Sequence, residues 1–214
     1  MTIFSQLHAP VLCGCDVPLV KRHVYESYMG GRASPPTTVT QRLLTGYMFA
    51  VDKSVREYRS GSATLVAYSN SANKTLLLFE GLGRFETCIN AVNRAFKFLT
   101  ALKACPDGPA ISRPLRRMVE TLEGSVSAIR NAVEHIERDI AEPQLMPDRA
   151  AHILAINREG TTLDISVHSI TFRDLGATIE KLFQAGGELI DALPAPASHA
   201  ANMAAIAELR LDIG

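Results

Sequence analysis

Residues 75–99 read TLLLFEGLGRFETCINAVNRAFKFL, and the spacing of the apolar residues in that stretch decides the fold. Leu78, Leu82, Phe85, Ile89, Val92, Phe96 and Leu99 follow one another at intervals of 4, 3, 4, 3, 4 and 3. That alternation keeps a single apolar stripe on one side of an α-helix, the stripe a helix presents to partner helices in a bundle. Pro106-Asp107-Gly108-Pro109 ends the segment. Beyond it, Val119, Leu122, Val126, Ile129, Val133, Ile136 and Ile140 repeat the same alternation, and Pro143 stops it.

Upstream, Pro35-Pro36-Thr37-Thr38 marks a helix start. Leu43, Leu44, Tyr47, Val51, Val55 and Tyr58 then recur at helical spacing. Residues 1–36 read as irregular apart from a short helix over Leu19–Tyr28, and residues 1–15 as an irregular N-terminal segment. Residues 60–73, SGSATLVAYSNSAN, are rich in Ser and Asn and are expected to form a loop containing an ordered patch. An antiparallel helical bundle over residues 16–142 follows.

After Pro143–Pro147 the period changes from helical to two. His152–Asn157 and Leu163–Ile170 alternate apolar and polar residues around Arg158-Glu159-Gly160, which predicts a β-hairpin. Thr171 is placed to cap a helix with Asp174 at its third position. Leu175, Ile179, Leu182, Phe183, Leu189 and Ile190 give that helix its apolar face, and Pro194 closes it. Residues 151–193 thus form a hairpin-plus-helix appendage, and 197–214 an Ala-rich tail. The fold class is mainly α, of α+β type.

Composition narrows the function. The chain has 214 residues, 47% hydrophobic and 21% charged, enough apolar material for a substantial core and too little charge for a disordered chain. No apolar run approaches the roughly 18 residues of a membrane span, and the first 20 residues show no secretory pattern. A soluble, cytoplasmic protein is expected. Net charge is zero, which excludes a broadly basic nucleic-acid coat. Residues 1–110 nevertheless hold 12 basic and 7 acidic side chains, and residues 111–214 hold 10 and 15, so a polyanion prefers the first half or a local basic pocket. Cys13, Cys15, Cys88 and Cys105 form neither a disulfide framework nor a zinc pattern, and are expected as reduced structural thiols. No G-x-S-x-G, H-E-x-x-H or Walker pattern is present, Gly81-Leu-Gly83 precedes no phosphate loop, and neither a cofactor nor a metal is expected.

One constellation carries chemistry. Ser127, Arg130, Asn131, Glu134, His135 and Arg138 share an arc beside the apolar stripe of the helix that holds them. Arginine offers a planar, permanent charge to a phosphate oxygen, and histidine moves protons near neutral pH. Asn131 can position a ligand, and Glu134 can orient His135 or Arg130. Arg130 and His135 are five residues apart, about 140° around one helix, so they do not converge easily on one atom, and two copies of the helix meeting across a two-fold axis solve that. The chemistry predicts a homodimer through this helix.

Arg130-Asn131-Ala-Val-Glu134-His135 resembles the R-x4–6-H motif of the HEPN superfamily, in which a polar residue typically follows the arginine. The resemblance implies an α-helical bundle, dimerisation through the motif, and metal-independent endoribonuclease activity on single-stranded RNA, with Arg130 and His135 catalytic. It further implies work in toxin–antitoxin or antiphage-defence systems, with an antitoxin or effector protein as a partner. Some members carry a tyrosine two residues after the histidine as a modification site. This chain has Glu137 there, so that form of regulation is not expected.

Plainer readings stand beside these. Arg130, Glu134 and Arg138 at i, i+4 and i+8 can be a solvated salt-bridge ladder, and the arc can serve a non-catalytic dimer that binds RNA or protein. Glu86, Asn90, Asn93, Arg94 and Lys97 read as an ordinary polar helix face. His152 and His168 fall on opposite faces of a regular hairpin, against a metal site.

Overall fold

The seven-residue stripe of the deciding stretch is buried from end to end in a computed structural model of the chain, which describes residues 4–28, 38–71, 75–135 and 153–193. Five helices and three strands are formed among these residues: α1 Leu19–Tyr28, α2 Thr38–Ser69, α3 Thr75–Ala104, α4 Arg113–Glu134, β1 Ala155–Ile156, β2 Thr162–Ile165, β3 His168–Thr171 and α5 Phe172–Asp191. The chain is mainly α, with a small sheet.

Helices α2 and α3 form a long antiparallel hairpin. Leu44, Tyr47, Val51, Val55 and Tyr58 supply α2's side of the core. Where the two helices touch most closely the side chain is missing: a Cβ on Gly81 would lie 2.6 Å from Leu65 Cδ2, and one on Gly61 would lie 2.9 Å from Phe85 Cε2. The expected loop over 60–73 is corrected by this contact, because α2 continues without a break to Ser69. Gly61, Leu65 and Tyr68 continue the buried stripe, with the Tyr68 ring 5.3 Å from that of Phe4. Burial of that face outweighs the weak helix preference of the serines between, since tertiary packing rather than propensity supplies most helix stability.

Three elements close over the hairpin. Helix α1 starts where sequence predicts, its first amides held by a side chain from α2: Asp52 accepts from Leu19 N at 2.8 Å and from Val20 N at 3.0 Å. Helix α5 starts on the expected cap, with Thr171 Oγ1 accepting from Asp174 N at 2.9 Å. Its residues Leu175, Ile179, Leu182, Leu189 and Ile190 join the same buried cluster as Leu44 and Phe85. Tyr47 ties α2 to α5 by donating its hydroxyl to Leu182 O at 2.6 Å. Helix α4 lies against α3, α5 and the sheet, burying Val126 and Ile129, and Glu188 of α5 accepts from Ser112 N at 3.0 Å at its start.

The predicted hairpin is corrected to a three-stranded antiparallel meander, ordered β1-β2-β3. The first turn is the one expected at Arg158-Glu159-Gly160. Asn157 Oδ1 accepts from Thr161 N at 2.8 Å, Gly160 takes φ +69°, and its carbonyl accepts from His8 N at 2.8 Å. The run Leu163–Ile170 is not one strand. It breaks at Ser166-Val167, with Ser166 at φ 52°, and folds back so that Ile165 pairs with His168. The turn satisfies both halves of the alternation, because Leu163, Ile165 and Ile170 all reach the core. Because β2 and β3 are separate strands, the opposite faces expected for His152 and His168 in a regular hairpin do not apply; His168 is exposed, and His152 lies outside the described residues.

Candidate active site at the end of helix α4

Val126, Ile129 and Ala132 turn α4's apolar stripe into the core. That burial fixes the rotation of the helix and carries the polar arc to its flank. The side chains of Val119 and Leu122, together with Ile136, Ile140 and Arg138, lie outside the described residues.

The structure separates the remaining five arc residues into three environments. Ser127 is half-buried and donates to Asn93 Oδ1 of α3 at 3.4 Å. Asn93 is itself buried, at 6% exposure, so it is a bridge between helices and not the surface residue expected from sequence. Arg130 is held by its own helix: Nη2 pairs with Glu134 Oε1 one turn on, and Nη1 donates to Asn131 Oδ1 at 3.1 Å. Glu134 therefore orients Arg130, not His135. The Arg130 side chain remains 21% exposed, and a guanidinium has five N–H donors, so donors remain for an incoming anion.

His135 differs most from expectation. It occupies the C-cap of α4, at φ −116° and ψ 20°, with its amide donating to Asn131 O at 3.0 Å. The helical spacing assumed for it therefore ends one residue earlier, at Glu134. The imidazole is exposed, beside the last turn that holds Arg130. Within one chain the arrangement presents an anion-binding fork and a proton-transfer group on the same end of the same helix.

A second concavity was not anticipated. A concavity of about 720 Å³ extends over α2: toward α3 it is a groove lined by Phe49 and Lys53 of α2 and Asn90, Arg94 and Phe98 of α3, and it continues against Cys15, Pro18, Val20 and Phe183. From sequence, Asn90 and Arg94 are expected as ordinary helix surface. Their spacing with Phe98, at i, i+4 and i+8, is the signal that places all three on one face, opposite the buried stripe of α3.

No protein-family model, curated protein or solved structure matches the chain. Among the described residues no group of three or more His, Cys, Asp or Glu is placed to hold a metal ion, and no helix is long and apolar enough to cross a membrane.

Proposed function

We propose that the chain is a metal-independent endoribonuclease of HEPN type, acting on single-stranded RNA as a homodimer in the cytoplasm. The observation that carries the reading is the joint placement of Arg130 and His135 at the exposed end of α4, with Asn131 and Glu134 setting the guanidinium. In the reaction the ribose 2′-oxygen bonds to phosphorus while the bond from phosphorus to the 5′-oxygen breaks, leaving a 2′,3′-cyclic phosphate and a 5′-hydroxyl. One proton leaves the 2′-hydroxyl and another reaches the departing 5′-oxygen, which is work for two imidazoles. Each chain brings one His135 to such a cleft, so pairing of two α4 ends supplies a base and an acid. Arg130 stabilises the charge that builds on the phosphoryl oxygens. Ser127 holds α4 to α3. A toxin or antiphage-defence role, with an antitoxin or effector as regulatory partner, follows from the family resemblance.

The test is cleavage of a mixed-sequence RNA in EDTA by the purified protein. Arg130→Ala and His135→Ala are each expected to lower the rate by about 100-fold or more. Glu134→Gln, which weakens the hold on the guanidinium but keeps an acceptor oxygen, is expected to lower the rate by less than either alanine variant. Folded Arg130→Ala and His135→Ala proteins that cut as fast as the parent would overturn the reading. A second reading, a non-catalytic dimer that binds RNA or protein, is favoured by the engagement of Arg130 with Glu134 and Asn131 in the free chain. It predicts RNA retention without cleavage in all four proteins.

A further inference from the structure

The α2–α3 groove has a polarity that runs along its length. Gly46 faces Phe98 and Gly61 faces Phe85, so the antiparallel helices put Phe49, and Phe98 seated on Gly46, at one end. Toward the other end come Lys53 and Arg94, then Arg56, Asn90 and Ser60. From Gly46 to Ser60 the groove covers about 20 Å of helix, and from Gly46 to Lys53 about 10 Å.

Its charges are unequally committed. Both oxygens of Asp52 are taken by the first amides of α1. Arg59 pairs with Asp16 at 3.1 Å, and Arg56 with Glu57 at 3.2 Å, whose other oxygen holds Arg84. Lys53 and Arg94 make no ion pair or hydrogen bond among the described residues. Two exposed, uncommitted cations thus stand where an aromatic, small-residue floor gives way to a polar wall. Ligand pockets are commonly of this kind, mostly apolar with a few convergent polar groups.

We propose that this groove binds a small amphipathic oxyanion, with a carboxylate or phosphate head between Lys53 and Arg94 and an apolar body of about 10 Å against Phe49, Gly46 and Phe98. The site is separate from the α4 end, and its test does not involve RNA cleavage. Decanoate and decyl phosphate are titrated into the full chain by calorimetry, with decanol and decyltrimethylammonium as controls and backbone amide spectra to locate binding. At least one anion is expected to bind with one-to-one stoichiometry, shifting the amides of Gly46, Lys53, Ala91 and Arg94. The tighter of the two identifies the head group. Lys53→Glu and Arg94→Glu are each expected to weaken binding about tenfold or more, and Phe49→Ala to weaken it independently of salt. All three positions are exposed, so the substitutions spare the fold. Decanol binding as tightly as the anions, unchanged affinity in both charge reversals, shifts confined to another surface, or no binding of either anion would each overturn the proposal.

Discussion

Arg130 shows how little separates a salt-bridge ladder from a reactive site at the level of one side chain. An exposed i, i+4 pair is worth only a few tenths of a kcal/mol, so Glu134 aims the guanidinium without holding it against a doubly bonded phosphate. Buried single groups are held far more firmly. Cys15 is 3% exposed, and burial together with the nearby Glu180 carboxylate pushes its thiol up from 9.0 to about 11. At pH 8 that leaves about one part in a thousand as the reactive thiolate. Cys13, two residues away, is exposed. Alkylation at pH 8 followed by peptide mass mapping is therefore expected to label Cys13 first, with the Cys15 rate rising about tenfold per pH unit toward pH 11. The linkage has a definite sign. Above pH 9 the unfolded chain loses this proton while the folded chain keeps it, so the contribution to stability is complete below pH 9 and is lost between 9 and about 11. Equal labelling of the two cysteines at pH 8 would contradict this account.

At the level of elements, the glycines divide by what surrounds them, and substitutions should divide likewise. Gly83 sits in α3 with nothing within 4 Å of where a Cβ would go, so Gly83→Ala is expected to raise stability by about 0.5–1 kcal/mol, the usual backbone gain in an exposed helix. Gly160 has φ +69°, and a Cβ there would overlap Gln6 O of the N-terminal segment. Gly160→Ala is expected to cost about 2 kcal/mol or more, from the left-handed backbone and the displaced bond between His8 N and Gly160 O. Urea unfolding of the two variants beside the parent measures both, and a Gly160→Ala midpoint at or above the parent's would refute the turn geometry. The same contrast explains what sequence could convey. The α3 stripe and the Thr171 cap are legible because each is a local pattern of residues that pack or bond within a few turns. Residues 60–69 mislead because their serines are weak helix formers, whereas the contact that keeps them helical comes from Gly61 meeting Phe85 across to α3. The turn at Ser166-Val167 carries no Gly, Asn or Pro, and only the return of Ile170 to the core demands it. At the candidate site the Arg130–Glu134 pair is legible as i, i+4. The end of α4 at His135 has no local stop signal before Pro143, and the groove exists only once α2 and α3 are folded side by side.

For the whole molecule, the proposed chemistry turns on assembly. In one chain a single imidazole stands at the end of α4, and the reaction moves two protons; a pair of chains meeting at that end brings two histidines and two arginines to a shared cleft. An interface of this kind makes a prediction that independent sites do not. Parent and His135→Ala proteins are mixed in equal amounts, exchanged by mild denaturation and refolding, and assayed on RNA in EDTA. Random pairing makes about half of the dimers mixed, and each mixed dimer holds a single His135, enough for only one of the two proton transfers. Only the quarter of dimers built from two parent chains keeps both imidazoles, so exchange is expected to lower the cleavage rate of the mixture by about half. Size-exclusion chromatography with light scattering, on chains carrying different tags, establishes that exchange has occurred. Exchange without any loss of cleavage would mean that the two histidines do not act together across a two-fold axis, and the shared-cleft reading would fail.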